Sequence, residues 1–181
     1  MILSQPTTHY DRVAIALHWL IGVALLVQIG FGFALDDIAP RGTPARAGII
    51  NLHKSCGIVL ALLIAVRLGW RLKHHPPGWP ASIPDWQQRA ARLGHRALYA
   101  CMLVMPLSGY IASNFSKHGI KFFGVPLRAW GPDSPGVYDL FNGVHVATAW
   151  VFAALIIGHV LIALRHAVAR DGVFARIWPQ R

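Results

Sequence analysis

Apolar residues run along this chain in four long, nearly uncharged blocks, separated by stretches rich in Pro, Gly and charge. From Val13 to Leu35 it reads VAIALHWLIGVALLVQIGFGFAL, 23 residues without a formal charge. About 20 such residues cross the hydrocarbon core of a bilayer, so this block predicts a transmembrane helix over about 13–35. A second block covers about 49–72 and is cleanest over Ser55–Val66. Lys54 and Arg67 stand near its ends, where long cationic side chains reach water. The third, about 93–115, is uncharged from Ala97 onward and carries Pro106 as an expected kink. The fourth is uncharged over Val144–Leu164 and continues to about 168. The expected fold is all-α and integral to the membrane: a four-transmembrane-helix bundle forming one domain over 1–181.

The connectors agree. Residues 36–48 and 73–90 have the Pro, Gly and charge of loops. Residues 116–143, the longest connector, contain FFGVPLRAW, which predicts a short interfacial segment lying over the bundle. No internal repeat or low-complexity tract is present. The opening MILSQPTTHYDRVAIALHWL has neither a basic n-region nor a small-residue cleavage site, so the first block is expected to be a retained helix.

Composition removes the alternatives. The 181 residues are 55% apolar and 13% charged, with a mean hydropathy of +0.46. Soluble domains carry about 25% charged residues, and disordered chains are far less apolar. The net charge of +10 would often suggest nucleic acid. In a chain of apolar blocks it is read first as topology, with membrane lipid and not nucleic acid as the partner. Of the 17 basic residues, 11 fall in the N-terminus, the second connector and the C-terminal tail, and 6 in the other two connectors. Cytoplasmic segments are the ones enriched in Lys and Arg, so both termini are expected in the cytoplasm.

The candidate chemistry is in the histidines. Five of the ten fall within predicted spans: His18, His53, His95, His145 and His159. Ionisable side chains in a membrane are costly and mark functional sites. The competing reading of any single one is a neutral imidazole bonded to a neighbouring helix. Their arrangement favours function. His145 and His159 are 14 residues apart on the fourth helix, which puts them within about 40° of one face and about 21 Å apart along the axis. His18 stands near the cytoplasmic start of the first helix and His53 near the outer start of the second. The fourth helix runs inward, so His145 shares a level with His53, and His159 with His18.

Paired imidazoles facing each other across a bundle can hold a six-coordinate haem iron. Small residues four positions on (Gly22 after His18, Gly57 after His53, Ala149 after His145) leave space for a flat macrocycle, although ordinary helix packing explains any one of them. Zinc wants three or four ligands converging on one point. A proton relay normally adds Asp or Glu, and none occurs in the spans. Cys56 and Cys101 lie in apolar runs with no CxxC or CxxCH, so they read as buried thiols, and covalent haem attachment is not expected.

ALHW at 16–19, LHKSCGI at 52–58, GHRALY at 94–99, MPLSGY at 105–110 and the His145–His159 spacing together resemble the bacterial cytochrome b561 family over nearly the whole chain. More distantly the chain resembles the haem subunits of membrane formate dehydrogenases and hydrogenases. The resemblance implies a multi-pass cytochrome of the bacterial inner membrane with two non-covalent b haems. It matches His18 with His159 for the inner haem and His53 with His145 for the outer. Members exchange electrons with the quinone pool, and some oxidise superoxide at the outer face while reducing ubiquinone, an oxidoreductase activity.

Further assignments stay open at this level. His95, beside Arg92 and Arg96, contacts a haem propionate or a quinone, or competes as a ligand. Arg67 and Arg71, at i and i+4, share one face and can clamp propionates, or serve topology alone. Lys117, His118, Lys121 and Arg128 form a cationic outer loop, able to steer a small anion or simply solvated. His9, His74, His75, His118 and His166 read as surface residues. Two other functions compete: a haem anchor relaying electrons for a separate redox partner protein, and a haem-free, His-lined transporter.

Overall fold

In a computed structural model, which describes residues 9–178, four helices are long and apolar enough to cross a membrane. They are α1 (Arg12–Phe33), α3 (Arg46–Lys73), α4 (Asp85–Asn114) and α5 (Pro135–Ala169). A single turn, α2 (Leu35–Ile38), follows α1. Two short strands, β1 (Ile120–Phe122) and β2 (Val125–Leu127), precede α5, and a 3-10 turn (Phe174–Ile177) follows it. The chain is thus an all-α membrane bundle with one small hairpin.

The helices outrun the uncharged blocks. α4 begins at Asp85, eight residues before the apolar signal, because DWQQRAAR favours a helix even where it is too polar for lipid. At 30 residues it is about 45 Å long against a core of about 30 Å, so its first turns extend beyond the hydrocarbon. α5 likewise starts nine residues early, with Pro135 at its first turn, where a missing N–H costs nothing. The outer surface is what lipid requires: Val27, Leu62 and Trp150 are each more than 60% exposed.

α4 packs most closely on α5, and α1 on α3, with α3 also against α4. The core joins Ile21, Leu25 and Ile29 of α1, Leu60 and Ile64 of α3, Cys101, Met102 and Met105 of α4, and Ala149 and Phe152 of α5. Phe152, 1% exposed, lies seven residues from both His145 and His159, at the middle of the bundle. Cys101 is buried and Cys56 half-buried, and both are free thiols.

The ends are closed by polar contacts. Residues 120–127 form an antiparallel hairpin where an interfacial segment was expected, with Phe123 and Gly124 both at positive φ, as a two-residue turn of this hand requires. It is tied to α3: the Asn51 side chain accepts from the Lys121 N–H at 3.0 Å, Ser55 accepts from the Phe123 N–H at 2.9 Å, and Lys54 donates to the Gly119 carbonyl at 2.8 Å. At the opposite end the Tyr10 N–H donates to the Arg176 carbonyl (3.1 Å) and the Trp19 indole to that of Ile177 (3.0 Å). Arg176 is buried, donates to Pro77 and lies over the rings of Tyr10 and Trp79. Both described ends of the chain therefore lie on one side of the bundle.

Asp11 caps α1 by accepting from the Ala14 N–H at 2.9 Å and also accepts from the Trp70 indole at 3.1 Å. Burial pushes its carboxyl up, but these hydrogen bonds, with His74 nearby, outweigh that and hold it below the ordinary carboxylate range. Asp11→Ala should lower stability by about 0.5–2 kcal/mol, and Asp11→Asn, which keeps an acceptor, by less. A depressed carboxyl stabilises fully above its ordinary range and fades as pH falls through the lowered value. The melting temperatures of wild type and Asp11→Ala in detergent should accordingly differ at neutral pH and converge in acid.

Candidate functional site

The histidines of α5 meet partners from two different helices. At the hairpin end His145 faces His53 of α3, ring centroids 6.2 Å apart and planes at 88°. At the end carrying Tyr10 and Arg176, His159 faces His18 of α1, again at 6.2 Å, with planes at 64°. A metal–imidazole bond of about 2.0–2.1 Å, with about 1.1 Å more from nitrogen to ring centre, places two trans imidazoles about 6.3 Å apart. Both pairs have that spacing. α5 makes no extensive backbone contact with α1 or α3, so each pair bridges a gap between helices.

The hydrogen bonds on the rings differ. Nδ1 of His145 lies 2.7 Å from the Met105 carbonyl, which can only accept. The proton is therefore on Nδ1, and Nε2 keeps a free lone pair, the arrangement of metal-bound imidazoles. His53 is held the other way: the Gln28 amide nitrogen donates to its carbonyl at 2.7 Å and lies 3.2 Å from its Nδ1. His18 resembles it, with an Arg67 nitrogen 3.2 Å from Nδ1 while Arg67 also donates to the Ala14 carbonyl.

Two glycines stand against the rings. A Cβ on Gly109 of α4 would lie 2.8 Å from Nδ1 of His145, and one on Gly32 of α1 would lie 3.2 Å from Cε1 of His53. Neither was singled out from the sequence, where Gly22 and Gly57 were. An added Cβ at Gly22 meets nothing within 4 Å, and one at Gly57 only touches Gln28. Gln28 did leave a signal, being the one side-chain amide in an otherwise apolar first span.

The remaining sequence candidates divide. His95 joins the His18–His159 group, its ring 5.5 Å from that of His159. Arg67 is at His18, whereas Arg71 lies over the Tyr10 ring. Among the surface histidines, His74 is exposed and stacks on Trp70, and His75 and His118 are exposed. His166 is a correction: it is half-buried and pairs with Asp171, which closes the last turn of α5. His9 is also half-covered, with Nδ1 3.2 Å from the Ala175 carbonyl.

Comparison with known proteins agrees with this architecture. The family model described as prokaryotic cytochrome b561 matches residues 9–180. Cytochrome b561 homolog 2 of Escherichia coli K12 is 29% identical over 92% of this chain and 88% of its own length. Homolog 1 of the same organism is 26% identical over 95% and 98%. A Yersinia pestis protein named probable superoxide oxidase CybB is 27% identical over 95% and 97%. With four apolar helices and a match along almost its whole length, the chain belongs to the prokaryotic cytochrome b561 family, a family of haem-binding membrane bundles that transfer electrons.

Proposed function

We propose that the chain holds two b haems, one at each end of the bundle, and passes electrons from a donor to ubiquinone. His18 and His159 would hold the inner haem, and His53 and His145 the outer. The observation that carries this reading is the pair of imidazole couples, each at 6.2 Å, about 21 Å apart along α5 with the Phe152 layer between them. Haem supplies the one-electron couple, and the chain supplies ligands, orientation and a dry surround.

Arg67 stands 3.2 Å from Nδ1 of His18, at the level where the inner haem would be held. Arg67 and Arg71 would hold the haem carboxylates as charge-assisted donors, and His95 would serve a propionate or the quinone. At the outer face superoxide is the proposed donor. The name of the Yersinia relative supports this, as do Lys117, Lys121 and Arg128, all exposed on the connector that carries the hairpin. Two superoxide anions each give up one electron and leave as dioxygen; two electrons and two protons convert one ubiquinone to ubiquinol. The end carrying the termini is assigned to the cytoplasm, in the inner membrane, from the 11 to 6 distribution of basic residues.

Pyridine haemochrome analysis of the purified protein should return two haems per chain. His18→Ala should remove the inner haem and spare the outer, and His53→Ala should do the reverse. One haem or none in the wild type would overturn the reading.

A reporter that is active only outside the cytoplasm, fused after Arg181, should be silent. Activity there would invert the orientation.

Replacing Lys117, Lys121 and Arg128 together by Gln should slow haem reduction by a superoxide pulse, 10-fold or more at low salt. The difference should shrink toward 1 M salt, where the Debye length falls to about 3 Å. Equal rates and equal salt slopes would remove superoxide steering and leave the haem assignment standing.

A further inference from the structure

We infer that the Met105–Gly109 turn of α4, on a helix that supplies no outer ligand, is the positioning element of the outer haem. Its backbone carbonyl at 105 and its missing side chain at 109 together preset His145 for metal. The inference rests on the two-haem reading and adds residues to it.

Positions 105 and 109 are one helical turn apart and present the same face to α5. Met105 offers a carbonyl 2.7 Å from Nδ1 of His145, which fixes the tautomer with its lone pair on Nε2. Gly109 offers the space: a Cβ there would stand 2.8 Å from Nδ1 and 3.0 Å from Cε1, nearer than side-chain carbons approach. With Ala at 109 the imidazole must move off α4, and the Nδ1–H···O bond goes with it. Ser108 tunes the same carbonyl, because its hydroxyl also donates to Met105 at 3.0 Å from a buried position. Pro106, Leu107 and Tyr110 complete the MPLSGY motif without touching the ring in any of these contacts. The two members of the motif that matter to the imidazole are thus a carbonyl, which any residue could provide, and a glycine, which no other residue can replace.

The energetic sense follows from ligand basicity. An imidazole that donates Nδ1–H to a carbonyl is a stronger electron donor at Nε2 and favours the ferric state. Weakening that bond makes the haem easier to reduce, and strengthening it makes reduction harder. Nδ1 of His18 and of His53 faces a donor instead of a carbonyl, so neither has this device.

The test uses full-length protein in membranes, with haem content and a potentiometric titration of both haems. Gly109→Ala should lose outer-haem occupancy several-fold, with what remains shifted to higher potential and the inner haem unchanged. Ser108→Ala, which removes one competing donor from the Met105 carbonyl, should keep both haems and shift the outer one to lower potential. If Gly109→Ala does not accumulate, Ser108→Ala decides: a downward shift of the outer haem alone supports the inference, and an unchanged potential overturns it. Wild-type occupancy and potentials in Gly109→Ala would also overturn it, while the two haems of the wild type stood. A wild type lacking the outer haem would instead be a failure of the two-haem reading.

Discussion

The bundle is organised by the need to place four imidazoles in a medium without water. In hydrocarbon a polar side chain has only other protein groups to bond with, and each unsatisfied group costs several kcal/mol. α5 carries two of the four, about 10 Å either side of Phe152, so it must meet a partner at both ends. Those partners sit on different helices, His18 on α1 and His53 on α3. The consequence is visible in the packing: α5 stands off from α1 and α3 and presses against α4. A helix that supplied a bulky residue in place of Gly109 could not come so close.

How much of this was legible follows from which physical signals are periodic. The four spans were readable because charge is excluded from lipid residue by residue. The pairing of histidines by level was readable too, since 14 residues is close to four helical turns and the direction of each span follows from counting. Helix starts were not. α4 and α5 begin in polar sequence, where hydropathy is silent and only propensity and the positions of Pro84 and Pro135 speak. The hairpin was missed because three residues per strand are too few for alternation to register, although Phe123-Gly124 is a turn signal in hindsight.

The glycines show a second limit. Gly22 and Gly57 bear on space for a macrocycle and are found by counting along the helix of the ligand itself, whereas Gly32 and Gly109, which meet the rings, are on other helices. Tertiary proximity of this kind leaves no trace in spacing. Arg176 makes the same point. Counted by charge it was one of eleven topological markers, whereas in three dimensions it is buried between Tyr10 and Trp79 and ties the C-terminal turn to the connector before α4.

The two ends solve one problem by different means. Lipid-facing Leu and Val stabilise insertion but cannot choose among bundle arrangements, since the tails are as apolar as the side chains. Register must come from polar contacts where the helices leave the hydrocarbon. At the hairpin end these are side chain to backbone, from Asn51, Lys54 and Ser55 of α3 to the hairpin. At the opposite end they are cationic and aromatic, with Arg176 over two rings and Trp19 bonded to the C-terminal turn. Each clasp lies within a few turns of one histidine pair and fixes a helix that carries a member of it: Ser55 is two residues from His53, and Trp19 adjoins His18. The contacts that close the bundle are therefore also the ones that hold the imidazole spacing.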